Sequence, residues 1–130
     1  DLYVANYVQW QKETHKVCHD MAGRPDYCAP DVFPAAHDRV YRNLGTARFR
    51  DVSEQIGITK DASPGLGVIA RDLNADGWVD FFVANDATDN QLWLNRQGRI
   101  LVDDALLAGV AVNGDGEAEA SMGVTAEDFD

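Results

Sequence analysis

The feature that most constrains this chain is the run Asp72-Leu73-Asn74-Ala75-Asp76-Gly77-Trp78-Val79-Asp80, continued at once by Phe81-Phe82-Val83-Ala84. Oxygen-bearing side chains stand at its first, third, fifth and ninth positions. Gly77 permits a sharp turn, and the apolar run beyond reads as a buried strand. A hard cation such as Ca²⁺ takes about six to eight oxygens. This loop offers Asp72, Asn74, Asp76, Asp80 and the backbone carbonyl of Trp78. Three carboxylates this close repel one another unless something positive sits among them, so Ca²⁺ is the expected cofactor. An EF-hand is excluded, because its twelfth position needs a carboxylate and here holds Val83. The short, β-branched flank Gly67-Val68-Ile69-Ala70-Arg71 makes the loop a connection between two strands.

The 130 residues suffice for one domain with a core, and 45% hydrophobic content argues against disorder. Twenty-two acidic against 11 basic residues give a net charge of −11, which disfavours nucleic acid and anionic membrane as partners and favours cations. No apolar run approaches the roughly 18 residues of a membrane span. The missing leader pattern is silent on compartment, since a mature chain also lacks one.

Internal matches extend the loop into an architecture. Asp38-Arg39-Val40-Tyr41-Arg42-Asn43 aligns with Asn90-Gln91-Leu92-Trp93-Leu94-Asn95 at an offset of 52, which widens to 56 where Leu66-Gly67-Val68 falls on Met122-Gly123-Val124. Asp1 matches Asp80 and would end a preceding loop, while Asp128 and Asp130 match Asp72 and Asn74 and would begin a following one. These are expected as partial cation sites, and the chain reads as a piece of a longer polypeptide. Runs at Leu66 to Arg71, Asp80 to Ala84, Gln91 to Leu94 and Ile100 to Val102 predict four strands, the content of one propeller blade. The fold class expected is therefore all-β: a fragment of a β-propeller with four-stranded antiparallel blades. Residues 1–65 would be a partial blade, 66–120 a complete one and 121–130 the start of the next. Leu92 and Leu94 point to one face and Trp93 to the other, so burial on both faces is expected.

An excursion at about residues 8–36 interrupts the first unit. It is read as mostly loop, although Val8, Gln11, Lys12, His15 and His19 lie near one helical face. It carries the only cysteines, Cys18 and Cys28, ten apart. A disulfide is the favoured reading; closing so short a loop is worth about 3 kcal/mol in the chain-entropy model. An oxidising compartment suits both the bridge and a calcium supply, so the protein is expected to be secreted, periplasmic or at the cell surface. Zinc held by His15, Cys18, His19 and Cys28 is the rival, against which the spacing tells.

Catalytic signals are weak. His37-Asp38 reads as a structural pair, and neither Ser53 nor Ser121 has a His and an Asp beside it. Trp10, Tyr27 and Phe33 in the excursion, with Asp86 after a strand, are the candidate partner contacts.

The loop with its Val83-Ala84-Asn85-Asp86 continuation, followed by Asn90 to Asn95, resembles an FG-GAP or VCBS-type repeat of integrin-α-like propellers. The arrangement is similar to the ASPIC/UnbV-associated, cartilage acidic protein-like group, whose propeller region carries a Cys-containing excursion like Cys18 to Cys28. The resemblance implies a seven-bladed, calcium-binding parent that is secreted or surface-exposed. It implies a non-catalytic role in protein or glycan recognition, in adhesion or as a subunit of an envelope assembly, with the other blades as partners. The alternative is part of a propeller enzyme acting on polysaccharide, with Asp86 and Asp38 the first carboxylates to test.

Overall fold

Nine short strands and two helical turns carry the fold in the computed structural model, which describes residues 1–127. In chain order the first elements are β1 (Leu2–Val4), β2 (Cys18–His19), β3 (Pro25–Asp26), β4 (Arg39–Asn43), β5 (Phe49–Asp51) and α1 (Ser53–Ile56). They are followed by β6 (Gly65–Arg71), β7 (Asp80–Asn85), β8 (Gln91–Arg96), β9 (Ile100–Asp103) and α2 (Ala105–Ala108). The strands form three antiparallel sheets, with orders β1-β4-β5, β2-β3 and β6-β7-β8-β9.

The four predicted strands of the second half are present to within two residues at either end. Their alternation is used on both faces. Val83, Trp93 and Leu101 join Val40, Val52, Ile56 and Ile58 in one core that binds the three- and four-stranded sheets together. On the opposite face Leu92 and Leu94 pack with Ala105 and Ala111 beneath α2. Fully burying one such aliphatic side chain is worth roughly 1.5–3 kcal/mol, so the first core is what makes the two sheets one body.

The propeller expectation is corrected by this architecture. The sheets hold three, two and four strands, none closes, and two α-helices stand among them, so the domain is mixed α/β rather than a series of four-stranded blades. The 52-residue offset marks a recurring strand pair with its following helical turn (β4, β5, α1 and β8, β9, α2), each pair preceded by a strand in equivalent register (β1 and β7). Local chemistry explains the helical turns. Asp51 Oδ1 accepts the Ser53 N–H at 2.9 Å and Asp103 Oδ1 accepts that of Ala105 at 3.0 Å, which satisfies donors at each start. Gly57 (φ 92°) and Gly109 (φ 72°) end them in the left-handed region, where a glycine carries no steric penalty. The excursion adds no strand to the first sheet. Pro25, Pro30 and Pro34 lack the N–H a ladder needs, and what forms there is the small β2-β3 hairpin, two 3₁₀ turns and a single antiparallel bridge between Val8 and Ala35. A helix along Val8 to Asp20 is reduced to the turn Lys12–Thr14. Asp128 and Asp130 lie outside the described residues.

Candidate functional site

The loop between β6 and β7 holds the predicted cation ligands, and the side chains of Asp72, Asn74, Asp76 and Asp80 all accept backbone N–H groups. Asp72 Oδ1 accepts the Asp76 N–H at 3.1 Å and its Oδ2 accepts that of Gly77 at 2.8 Å. Asn74 Oδ1 also accepts from Asp76, at 3.0 Å, while Asn74 Nδ2 donates to Asp76 Oδ2 at 3.2 Å. Asp76 Oδ1 accepts the Trp78 N–H at 2.9 Å. Such side-chain bonds two to five residues ahead are what short Asx residues form in turns, and Gly77 (φ 87°) supplies the reversal.

Asp80 behaves differently from the rest. It is fully buried, its Oδ2 accepts the Leu73 N–H at 2.9 Å, and its Oδ1 accepts that of Asn95 at 2.7 Å. One carboxylate thus closes the loop on itself and ties it to β8. Asn95 completes the tie by donating from Nδ2 to the Val79 carbonyl at 3.0 Å and accepting the Gly98 N–H at 2.7 Å. The sequence reading missed Asn95; an Asn at a strand end before a Gln-Gly turn was the available signal. Trp78 folds over Gly98, where an added Cβ would stand 2.8 Å from its Cζ3.

The donor set is all oxygen, which suits a hard cation. Its grouping is less complete: among the described residues no three His, Cys, Asp or Glu side chains converge as a metal-binding group. Each carboxylate oxygen that accepts one N–H keeps a further lone pair, so the backbone bonds and an ion are compatible.

The other expected residues are dispersed. Asp1 is exposed and accepts the Asn43 N–H at 2.8 Å, tying β1 to the end of β4. Cys18 and Cys28 form the disulfide, with Cα atoms 5.2 Å apart, which removes both sulfurs from the zinc alternative. Trp10 is 55% exposed and donates from its indole to His15 Nδ1 at 3.1 Å. Tyr27 is wholly exposed, and Phe33 is half-buried after the second 3₁₀ turn. Asp86 accepts the Tyr7 hydroxyl at 2.6 Å, and this bond, with burial, pushes the Tyr7 pKa up to about 12. Asp38 is buried, accepting the Tyr3 hydroxyl and the Asn6 N–H, each at 2.7 Å. Desolvation raises its pKa above the ordinary carboxylate value, and burial followed by the Asp38 charge raises that of Tyr3. The structure therefore gives Asp38 and Asp86 each a tyrosine partner.

A cleft of about 740 Å³ opens beside the loop, between the three- and four-stranded sheets. Its lining includes Val40, Val52, Phe81, Trp78 and Ile100, and its charged members are Arg42 and Asp1.

No family model matches this sequence, and no curated protein matches it. The FG-GAP/VCBS resemblance is thus carried by short motifs alone, and the unequal sheets contradict the blade they implied. With the blades go the role built on them, a propeller segment for recognition, adhesion or envelope assembly, its enzymatic alternative, and the neighbouring blades as partners. No helix among the described residues is long and apolar enough to cross a membrane.

Proposed function

We propose that this chain is a non-catalytic domain of a secreted, periplasmic or cell-surface protein, and that its β6–β7 loop takes up Ca²⁺ as a structural ion. The observation that carries the reading is the all-oxygen loop Asp72, Asn74, Asp76, anchored by the fully buried Asp80. The ligands would be those side chains and the Trp78 carbonyl. Bound there, the ion neutralises carboxylates that otherwise repel and fixes the connection between two core strands. The disulfide supports an oxidising compartment. The polar pairs support a non-catalytic reading, because each has a structural task. Ser53 Oγ, fully buried, bridges Asp51 and the Val40 N–H, and Tyr3 and Tyr7 are held by Asp38 and Asp86.

Terbium, a Ca²⁺ mimic whose emission a nearby indole sensitises, gives a direct test because Trp78 lies within the loop. Luminescence excited through tryptophan should rise on titration, fall on competition with Ca²⁺ and be lost in Asp76→Ala. Millimolar Ca²⁺ should also raise the melting temperature above that in EDTA. An identical melting temperature in both, with no sensitised emission, would refute the reading.

A further inference from the structure

The three-stranded sheet repeats part of the four-stranded one, register for register. Leu2 pairs with Tyr41 and Tyr41 with Asp51, as Phe81 pairs with Trp93 and Trp93 with Asp103. Strands β1, β4 and β5 thus correspond to β7, β8 and β9. What the first sheet lacks among the described residues is a counterpart of β6, which covers the other edge of β7. The edge of β1 is therefore open, and an edge strand presents a row of unpaired N–H and C=O groups. Of the devices that keep native edges from accepting a strand, β1 has only its shortness. Leu2-Tyr3-Val4 contains no Pro or charged residue, and its register carries no bulge.

Residues 121–126 carry the pattern of the missing strand, since Ser121-Met122-Gly123-Val124 falls on Gly65-Leu66-Gly67-Val68. Their placement matches as well. The Gly65 N–H donates to the Asn6 carbonyl at 2.9 Å where the chain enters the second sheet as β6. The Ser121 N–H donates to the carbonyl of Asn85, the counterpart of Asn6, at 3.1 Å. Beyond Ser121 no strand forms among residues 121–127, and the N–H groups of Met122 to Ala126 have no partner among the described residues. The outward faces agree with this incomplete step. Val110, 39% exposed, stands where its counterpart Ile58 is buried, and Phe49, 49% exposed, where Leu101 is buried. From this we infer that a second copy of the chain supplies the absent strand: residues 122–126 of one molecule add to the edge of β1 in the next as an antiparallel strand. The β6–β7 register fixes the pairing. Val124 lies opposite Val4 as Val68 lies opposite Val83, and Ala126 opposite Leu2 as Ala70 lies opposite Phe81. One pair further, Arg71 opposite Asp80 becomes Glu127 opposite Asp1, two carboxylates, so salt should strengthen the contact. The contact is head-to-tail and builds rings or filaments.

Sedimentation equilibrium of the full chain over a concentration series tests this. The weight-average mass should rise above 14.3 kDa with concentration, and further with added salt. Neighbouring N–H groups of a strand point to opposite sides, so Val124→Pro/Thr125→Pro removes one that faces β1. That variant should sediment as a monomer and keep its melting temperature, neither residue belonging to a core. Crosslinking reads the register. Molecules carrying Val4→Cys and Val124→Cys, mixed under mild oxidation, should join. Val4→Cys with Ala126→Cys is two residues out of register, beyond disulfide reach, and should not. A mass of 14.3 kDa at every concentration would overturn the inference, as would undiminished association of the proline variant. Preferential joining of Val4→Cys to itself, or closure of one Val4→Cys/Val124→Cys chain as a monomer, would equally overturn it.

Discussion

The excursion and the four-stranded sheet are held together by opposite means. From residue 1 to 37 no residue is buried, and the excursion keeps its shape through one disulfide, a two-pair hairpin and a few loop bonds such as Lys16 Nζ to the Val32 carbonyl at 2.9 Å. In the sheet β7 and β8 contribute Val83, Leu92, Trp93 and Leu94, all buried, to cores on both faces. Covalent closure acts by limiting what the unfolded segment can explore, whereas packing acts by removing apolar surface from water. The two regions should therefore fail separately, and the ways of breaking them differ in size.

The largest effect is expected inside the shared core. Trp93→Ala should cost about 3–5 kcal/mol in denaturant unfolding, as large-to-small changes of buried aromatics do. Because Trp93 touches the core of both sheets, probes in each should lose stability together; a loss confined to one would break the claim of a single body. Ser53→Ala comes next. It leaves the Val40 N–H buried without its partner at 2.9 Å, and an orphaned buried donor costs about 1–3 kcal/mol.

Acid and base then separate the regions further. The pKa of Asp38 is raised in the folded state, so the stability it contributes is complete below its ordinary value of 3.8 and is lost as pH rises through the raised one. Asp20, in the excursion, is shifted down, by its bonds to the Arg24 backbone and side chain, and Asp51 by its bonds to Ser53. Their contributions run the other way, present above 3.8 and lost as pH falls through their lowered values. In Asp38→Asn, stability measured from acid to neutral pH should rise more steeply than in the parent, because a carboxylate that opposes Asp20 and Asp51 is gone. An unchanged profile would show that Asp38 is not desolvated.

The smallest global effect is expected from Cys18→Ser/Cys28→Ser. Hydrogen exchange should accelerate across residues 8–36 while the melting temperature of the sheets stays in place. Loss of protection at Val83 or Leu92 in that variant would mean that the excursion supports the core after all.

Strand positions in the second half were legible because their apolar runs are continuous and bounded by Asp, Asn and Gly. The loop was legible because its oxygens recur at every second residue. The grouping of strands into sheets was not, since β1 pairs with β4 across a gap longer than 30 residues, and no local pattern encodes how many strands will gather there. The helical turns were missed because four residues are too few for periodicity, although Asp51…Gly57 and Asp103…Gly109 each carry a start and a stop signal.

The disulfide has a consequence for protein engineering. It pins the two ends of Cys18 to Cys28 at 5.2 Å, and the turn between them, Asp20 to Arg24, projects Met21 fully into solvent. A foreign peptide grafted between Met21 and Gly23 would be displayed as a constrained loop, its termini clamped, away from the buried residues of the sheets.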